Sequence, residues 1–221
     1  MCGRFAQFSP VDILKSQFEI DALTCEVRPS FNIAPTNEVI ALIRQDGIRL
    51  GKLRWGLVPP WMKDQEKPIG IINARSETLS EKPAFKKAFK ERRCLILADG
   101  YFEWKKEGNM KIPYYFFLPS KTLFGFAGLW ESWKDKEGKN QSSCAIITGD
   151  AKGAVGSIHT RMPLILSPKG AGLWLDSGIR DADILKGVLS ELLNPDLDFH
   201  RVSERVNAVS SNGPSCIEKV L

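Results

Sequence analysis

Glu38-Val39-Ile40-Ala41-Leu42-Ile43-Arg44, then Gln45-Asp46-Gly47, then Ile48-Arg49-Leu50-Gly51-Lys52-Leu53-Arg54-Trp55 is the stretch that decides the fold class. The first arm is rich in Val, Ile and Leu, which suit a pleated, half-buried strand. Asp46-Gly47 supplies the turn chemistry of a tight hairpin, and the second arm returns through Trp55. An antiparallel pair therefore lies in the first quarter of the chain.

Upstream, Ser9-Pro10-Val11-Asp12 reads as a helix start with Ser9 as N-cap, Pro10 at the first helical position, and Leu14 and Phe18 on the apolar face. Arg28 to Thr36, with Pro29 and Pro35, is an ordered loop. Downstream, Trp55-Gly56-Leu57-Val58-Pro59-Pro60-Trp61 cannot continue a ladder through its proline pair. It is either a packed loop corner or a wall on which a base could stack. Ile69 to Ile72 is apolar and leads into the polar Asn73-Ala74-Arg75-Ser76-Glu77-Thr78. A helix near Pro83 carries Phe85, Ala88 and Phe89 on one face and lysines on the other, with Arg92-Arg93 after it, the pattern of a solvated amphipathic helix.

Strands follow at Cys94–Ala98, Tyr114–Leu118, Phe124–Trp130 and Cys144–Thr148, with Lys105 to Asn109 as a turn. Leu164-Ile165-Leu166 is a strand, Pro168–Leu175 a short helix, Asp181–Leu193 an amphipathic helix closed by Asn194-Pro195, and Phe199–Val206 a last strand. One α+β domain over residues 1–221, with a mostly antiparallel, barrel-like sheet flanked by short helices, fits this order.

The 221 residues suffice to bury a substantial core, and 43 % hydrophobic with 26 % charged is ordinary globular usage. No apolar run reaches the length of a membrane span and no signal-peptide core opens the chain, so a cytoplasmic location without membrane contact is expected, at the nucleoid if the source is bacterial. The five cysteines are scattered without a CxxC pair and there are two histidines. Neither a disulfide framework, a metal centre nor a cofactor is indicated. A net charge of +5 is compatible with a polyanionic partner but does not require one.

Three positions carry chemistry. Cys2 follows the initiator methionine and becomes N-terminal when that residue is removed. An α-amine has a reference pKa of about 7.7 to 8.0 against about 10.4 for lysine, so it is far more often the neutral nucleophile. The thiol, near about 8.5, is expected to fall beside the ammonium. Amine and thiol on one carbon skeleton condense with an aldehyde to an imine and then close to a thiazolidine. Glu103, between Phe102 and Trp104, is either an outward side chain of an alternating strand or a half-buried carboxylate raised by desolvation and fit to carry protons. His159 lies in a polar loop beside Arg161.

Met1-Cys2-Gly3-Arg4-Phe5, Asn32-Ile33-Ala34-Pro35-Thr36, Arg54-Trp55-Gly56-Leu57-Val58-Pro59, Asn73 to Thr78, Gly100-Tyr101-Phe102-Glu103-Trp104 and His159-Thr160-Arg161-Met162-Pro163 resemble the ordered signatures of the SRAP domain, the SOS-response-associated peptidases or abasic-site processing proteins. Val206-Asn207 is similar to the family's C-terminal pattern. The resemblance implies a protein that binds single-stranded DNA and links its N-terminal cysteine to an abasic site through a thiazolidine, shielding the lesion during replication and SOS repair. By motif, Cys2 is the nucleophile, Asn73 holds its N-terminus, Glu103 shuttles protons, and His159 assists at the sugar and contacts the adjacent phosphate. Arg4, Arg75 and Arg161 match phosphate-holding positions, Thr148 is a weaker match for a backbone contact, and Trp55, Pro35 and Trp61 are placed near the DNA. Three phosphate contacts on a single strand imply a log–log salt slope of about −2. Replication machinery is an implied partner, and a monomer is expected. Lyase and peptidase activity, the latter in self-removal of Met1, go with the family's name. The rival readings are a thiol peptidase with Cys2 as nucleophile and His159 as base, and a binding module in which Cys2 is incidental.

Overall fold

A computed structural model describes residues 2–62, 70–134, 137–191, 193 and 196–220. Met1, Ile69, Leu192 and the expected helix stop Asn194-Pro195 lie outside the described residues. The strands are β1 (Arg4–Gln7), β2 (Ala22–Leu23), β3 (Ser30–Ile33), β4 (Glu38–Arg44), β5 (Ile48–Trp55), β6 (Asn73–Arg75), β7 (Arg93–Ala98), β8 (Gly100–Glu107), β9 (Met110–Phe117), β10 (Phe124–Lys134), β11 (Asn140–Asp150), β12 (Arg161–Pro163), β13 (Ile165–Leu166) and β14 (Asp198–Arg201). The helices are α1 (Val11–Gln17), α2 (Pro83–Glu91), α3 (Pro168–Leu175) and α4 (Ala182–Glu191).

The hairpin forms as its sequence predicts. Glu38 faces Arg54 and Arg44 faces Ile48 across β4 and β5, and Gly47 takes φ 139°, a region open to glycine. From there β4 pairs β7, β7 pairs β10, β10 pairs β11, and β11 returns to β5 in parallel at Ser143–Arg54 and Cys144–Trp55. These five strands close on themselves, which removes the edges that an open sheet would expose. A second sheet runs β14-β9-β8-β1-β3. The α+β, largely antiparallel barrel-like fold is thus present, with a second sheet beside the barrel.

Alternation along the barrel strands divides the core in two. Leu95, Leu97, Leu129 and Ile147 meet Phe85, Phe89, Trp174 and Leu185 of the helices. Cys94, Ile96, Phe126 and Ile146 meet Phe5, Tyr101 and Phe116 of the second sheet. Several local readings change. Ser9 does not cap α1: its hydroxyl bonds the Asp99 carboxylate, and Pro10 occupies the cap. The turn expected over Lys105–Asn109 is only Gly108-Asn109, with Gly108 at φ 60°, because β8 runs on to Glu107. The last strand stops at Arg201, since the Ser203 hydroxyl accepts from the Arg205 amide and starts a 3-10 turn over Glu204–Asn207.

Candidate active site

β1 and β8 pair with Arg4 opposite Phe102 and Phe5 opposite Tyr101, so one further step of the register brings Gly3 alongside Glu103. Residues directly opposite share a face. Phe5, Tyr101 and Glu103 therefore point together toward the barrel, while Arg4 and Phe102 point away. β6 lies parallel to β11 with Asn73 beside Ile146 and Arg75 beside Thr148. β12 lies on the other side of β11, with Pro163 opposite Thr148 and Arg161 opposite Asp150. These two junctions bring the N-terminal cysteine to one cleft with Asn73, Arg75, Glu103, Thr148 and the His159–Arg161 segment.

Cys2 is fully buried, and Asn73 Nδ2 donates to its carbonyl at 2.9 Å. The floor beneath is Phe5 edge-on to Trp55, with centroids 5.1 Å apart. Glu103 is 3 % exposed, so the inward reading of this carboxylate holds. Desolvation raises its pKa, with the nearby His159 pulling the other way. Burial drives the Cys2 thiol pKa well up, and the Glu103 charge adds to the rise; the expected fall belongs to the chain whose Cys2 amine has been freed from Met1.

His159 Nδ1 sits 3.0 Å from the Arg161 backbone amide. The same nitrogen lies 3.1 Å from the Arg161 carbonyl, so the Arg161 backbone holds the ring in place through either tautomer. The three arginines divide. Arg75 is exposed and has no ion-pair partner among the described residues. Arg161 is clamped by Glu77 at 2.6 and 3.0 Å and by Asp150 at 2.7 Å, and also donates to the Thr148 carbonyl. Arg4 donates to Asn32 Oδ1 at 2.8 Å, to the Val206 carbonyl at 2.7 Å and to the Asn207 carbonyl at 3.2 Å. Its guanidinium fixes the later chain against β1, a structural role beside the phosphate contact expected of it.

The Trp55–Trp61 segment splits between its two readings. Trp55 is fully buried, Gly56 N–H donates to the Cys144 carbonyl and Val58 N–H to Ser143 Oγ: a packed corner. Trp55, fully buried, supports the floor of the cleft and cannot itself stack on a base. Trp61 is 60 % exposed and remains available as a platform. Pro35 is half-buried in the Ala34–Asn37 turn, whose Thr36 amide donates to the Trp55 carbonyl.

Buried polar atoms around the cleft with no hydrogen-bond partner among the described residues include Asn73 Oδ1, Thr148 Oγ1, Tyr101 Oη and Arg161 Nε. The sequence singles out Glu103 and not Tyr101, although alternation alone sets both on one face. The Tyr101 phenol pKa is raised by burial and by Cys2 and Glu103 beside it. Asn207, to which the sequence assigns no role, also belongs to the site. Its side-chain oxygen accepts from Trp104 Nε1 at 2.8 Å, and it lines the open end of the cleft with Glu103, Trp104, Lys106, Lys111 and His159.

No helix of the described residues is long and apolar enough to cross a membrane. The chain is 44 % identical over 223 residues to the abasic site processing protein YoqW of Bacillus subtilis, covering 99 % of each. It is 30 % identical over 269 residues to the abasic site processing protein HMCES of Xenopus tropicalis, covering all of this chain and 79 % of that one. Among solved structures, a protein of Bacteroides thetaiotaomicron superposes with a TM-score of 0.77 at 25 % identity, over 97 % of this chain and 92 % of its own. The pattern of the SOS response associated peptidase family matches residues 1–209, and the chain belongs to that SRAP family.

Proposed function

We propose that this protein processes abasic sites in single-stranded DNA by capturing the exposed sugar aldehyde on Cys2 once Met1 has been removed. The observation that carries the reading is the placement of Cys2: a buried 1,2-aminothiol precursor whose carbonyl is held by Asn73 and whose sulfur lies in the field of Glu103. Relatives named for abasic-site processing over nearly the whole chain support it.

The α-amine of Cys2 attacks C1′ of the ring-opened deoxyribose, and water leaves as the imine forms. Glu103, whose burial lets it keep its proton to higher pH than an exposed glutamate, protonates the departing oxygen and takes a proton from the amine. The thiol then adds across the imine: sulfur bonds to C1′, and the thiol proton ends on nitrogen. A thiol that stays protonated at rest suits this second step, because the amine commits first and the sulfur is spared from side reactions. Asn73 Oδ1, still unpartnered, is an acceptor for the freed α-amine and would aim its lone pair. His159, which lines the cleft with Glu103, assists at the sugar or its phosphate. A thiol peptidase would need a thiolate at rest, which the burial of Cys2 opposes.

The test is intact mass after mixing the protein with an abasic oligonucleotide and, separately, with peptides. Wild type gains the oligonucleotide less one water. Cys2→Ala retains non-covalent binding and forms no adduct; a cross-link by this variant that survives a denaturing gel overturns the assignment. Peptide cleavage without a DNA adduct would move it to the peptidase reading.

A further inference from the structure

Lys106 and Lys111 stand directly opposite each other across the β8–β9 hairpin, where like charges repel. Both are exposed, and neither has an ion-pair partner among the described residues, whereas their neighbour Lys105 is neutralised by Glu107 at 2.9 Å. Both line the same open cleft as Glu103, Trp104, His159 and Asn207. The paired register of β1 and β8 ends at Phe102, and past it Glu103, Trp104 and Lys106, from both faces of β8, line the cleft. Lys106 lies three residues past Glu103, about 10 Å along the strand, beyond the sugar that Glu103 would serve.

Resting on the reading above, we propose that Lys106 and Lys111 form a two-lysine phosphate clamp that holds the nucleic-acid backbone on one side of the lesion as it leaves the cleft. Uncompensated cross-strand repulsion is what a polyanion relieves. An ammonium makes a point contact without reading bases, so the clamp adds affinity and not sequence preference. It also adds cationic groups at a cleft where Arg4 donates to the later chain.

Removing one lysine–phosphate interaction on a single strand makes the log–log salt slope shallower by about 0.7 and weakens affinity about fivefold near 0.1 M salt. Binding of a long oligonucleotide with a central abasic site is measured against salt for wild type, Lys106→Gln/Lys111→Gln and a control, Lys169→Gln/Lys186→Gln. The cleft variant is expected to lose about 1.4 from the slope and about 25-fold in affinity, and the control neither. Truncating the oligonucleotide on one side of the lesion should erase the difference between wild type and cleft variant; truncating the other side should preserve it. Lys111→Glu separates binding from folding, since an opposite charge across from Lys106 should raise Tm while weakening DNA binding. Equal slopes and affinities for wild type and the cleft variant overturn the clamp, as does a lysine effect insensitive to either truncation. The wild-type adduct is scored independently by intact mass: its absence sinks the Cys2 reading, and the slopes still judge the lysines.

Discussion

Arg93 and the Cys2 pocket are both polar groups shut away from water, and they are finished differently. Arg93 is 6 % exposed, and its guanidinium donates to the carbonyls of Trp174 at 2.6 Å, Lys90 at 2.6 Å, Phe89 at 3.2 Å and Asp176 at 2.5 Å. These carbonyls sit at the ends of α2 and α3, where helix dipoles favour a cation. Burial lowers its pKa to about 10, and it stays charged at neutral pH. At the cleft, by contrast, Asn73, Thr148 and Tyr101 each present a buried polar atom with no hydrogen-bond partner among the described residues. Such atoms occur elsewhere too, at Arg92 Nε, Tyr115 Oη and Trp133 Nε1, so what sets the cleft apart is that several gather around Cys2, where a ligand can complete them.

The comparison can be broken most sharply at Arg93. Arg93→Met should cost about 3 kcal/mol by stranding the helix-end carbonyls, lowering Tm by about 10 °C in thermal unfolding, while the adduct yield below Tm stays at the wild-type level. A drop in adduct yield with unchanged Tm would reverse the two roles.

Glu103→Gln is the matching test at the cleft. It should slow adduct formation by about 100-fold, the usual contribution of a general acid–base group. It should also stabilise the fold. A carboxyl whose folded pKa is raised binds its proton more tightly folded than unfolded, so stability falls as pH climbs from the unfolded value of about 4.3 through the raised folded value. The variant should therefore melt higher than wild type at pH 7 and equal to it below about pH 4. Equal Tm at both pH values would mean that Glu103 is not desolvated.

How much of the molecule is legible in the chain depends on range. The β4–β5 hairpin and α3 can be read because strand composition, Asp46-Gly47 and the Ser167-Pro168 start act within a few residues. The inward turn of Glu103 stays ambiguous because Tyr101, Phe102 and Glu103 are all buried, and a strand covered on both faces carries no alternation to read. Ser9 looks like a helix cap because the carboxylate that claims its hydroxyl lies 90 residues away. The raised pKa of the Cys2 thiol is hidden for the same reason: it comes from burial and from the Glu103 charge, which meet Cys2 only in the fold.

Smallest is Arg75→Gln, expected to reduce the salt slope by about 0.7 and affinity about fivefold near 0.1 M salt. Arg161→Gln, already clamped by Glu77 and Asp150, should change the slope less unless DNA displaces those carboxylates. Equal slopes for the two variants would show that binding does displace them.

Arg4 ties the fourth residue to a carbonyl 202 positions later. During synthesis that anchor does not exist until nearly the whole polypeptide has left the ribosome. The first residues therefore stay accessible until then, which leaves time for the Met1 removal that the proposed capture on Cys2 requires.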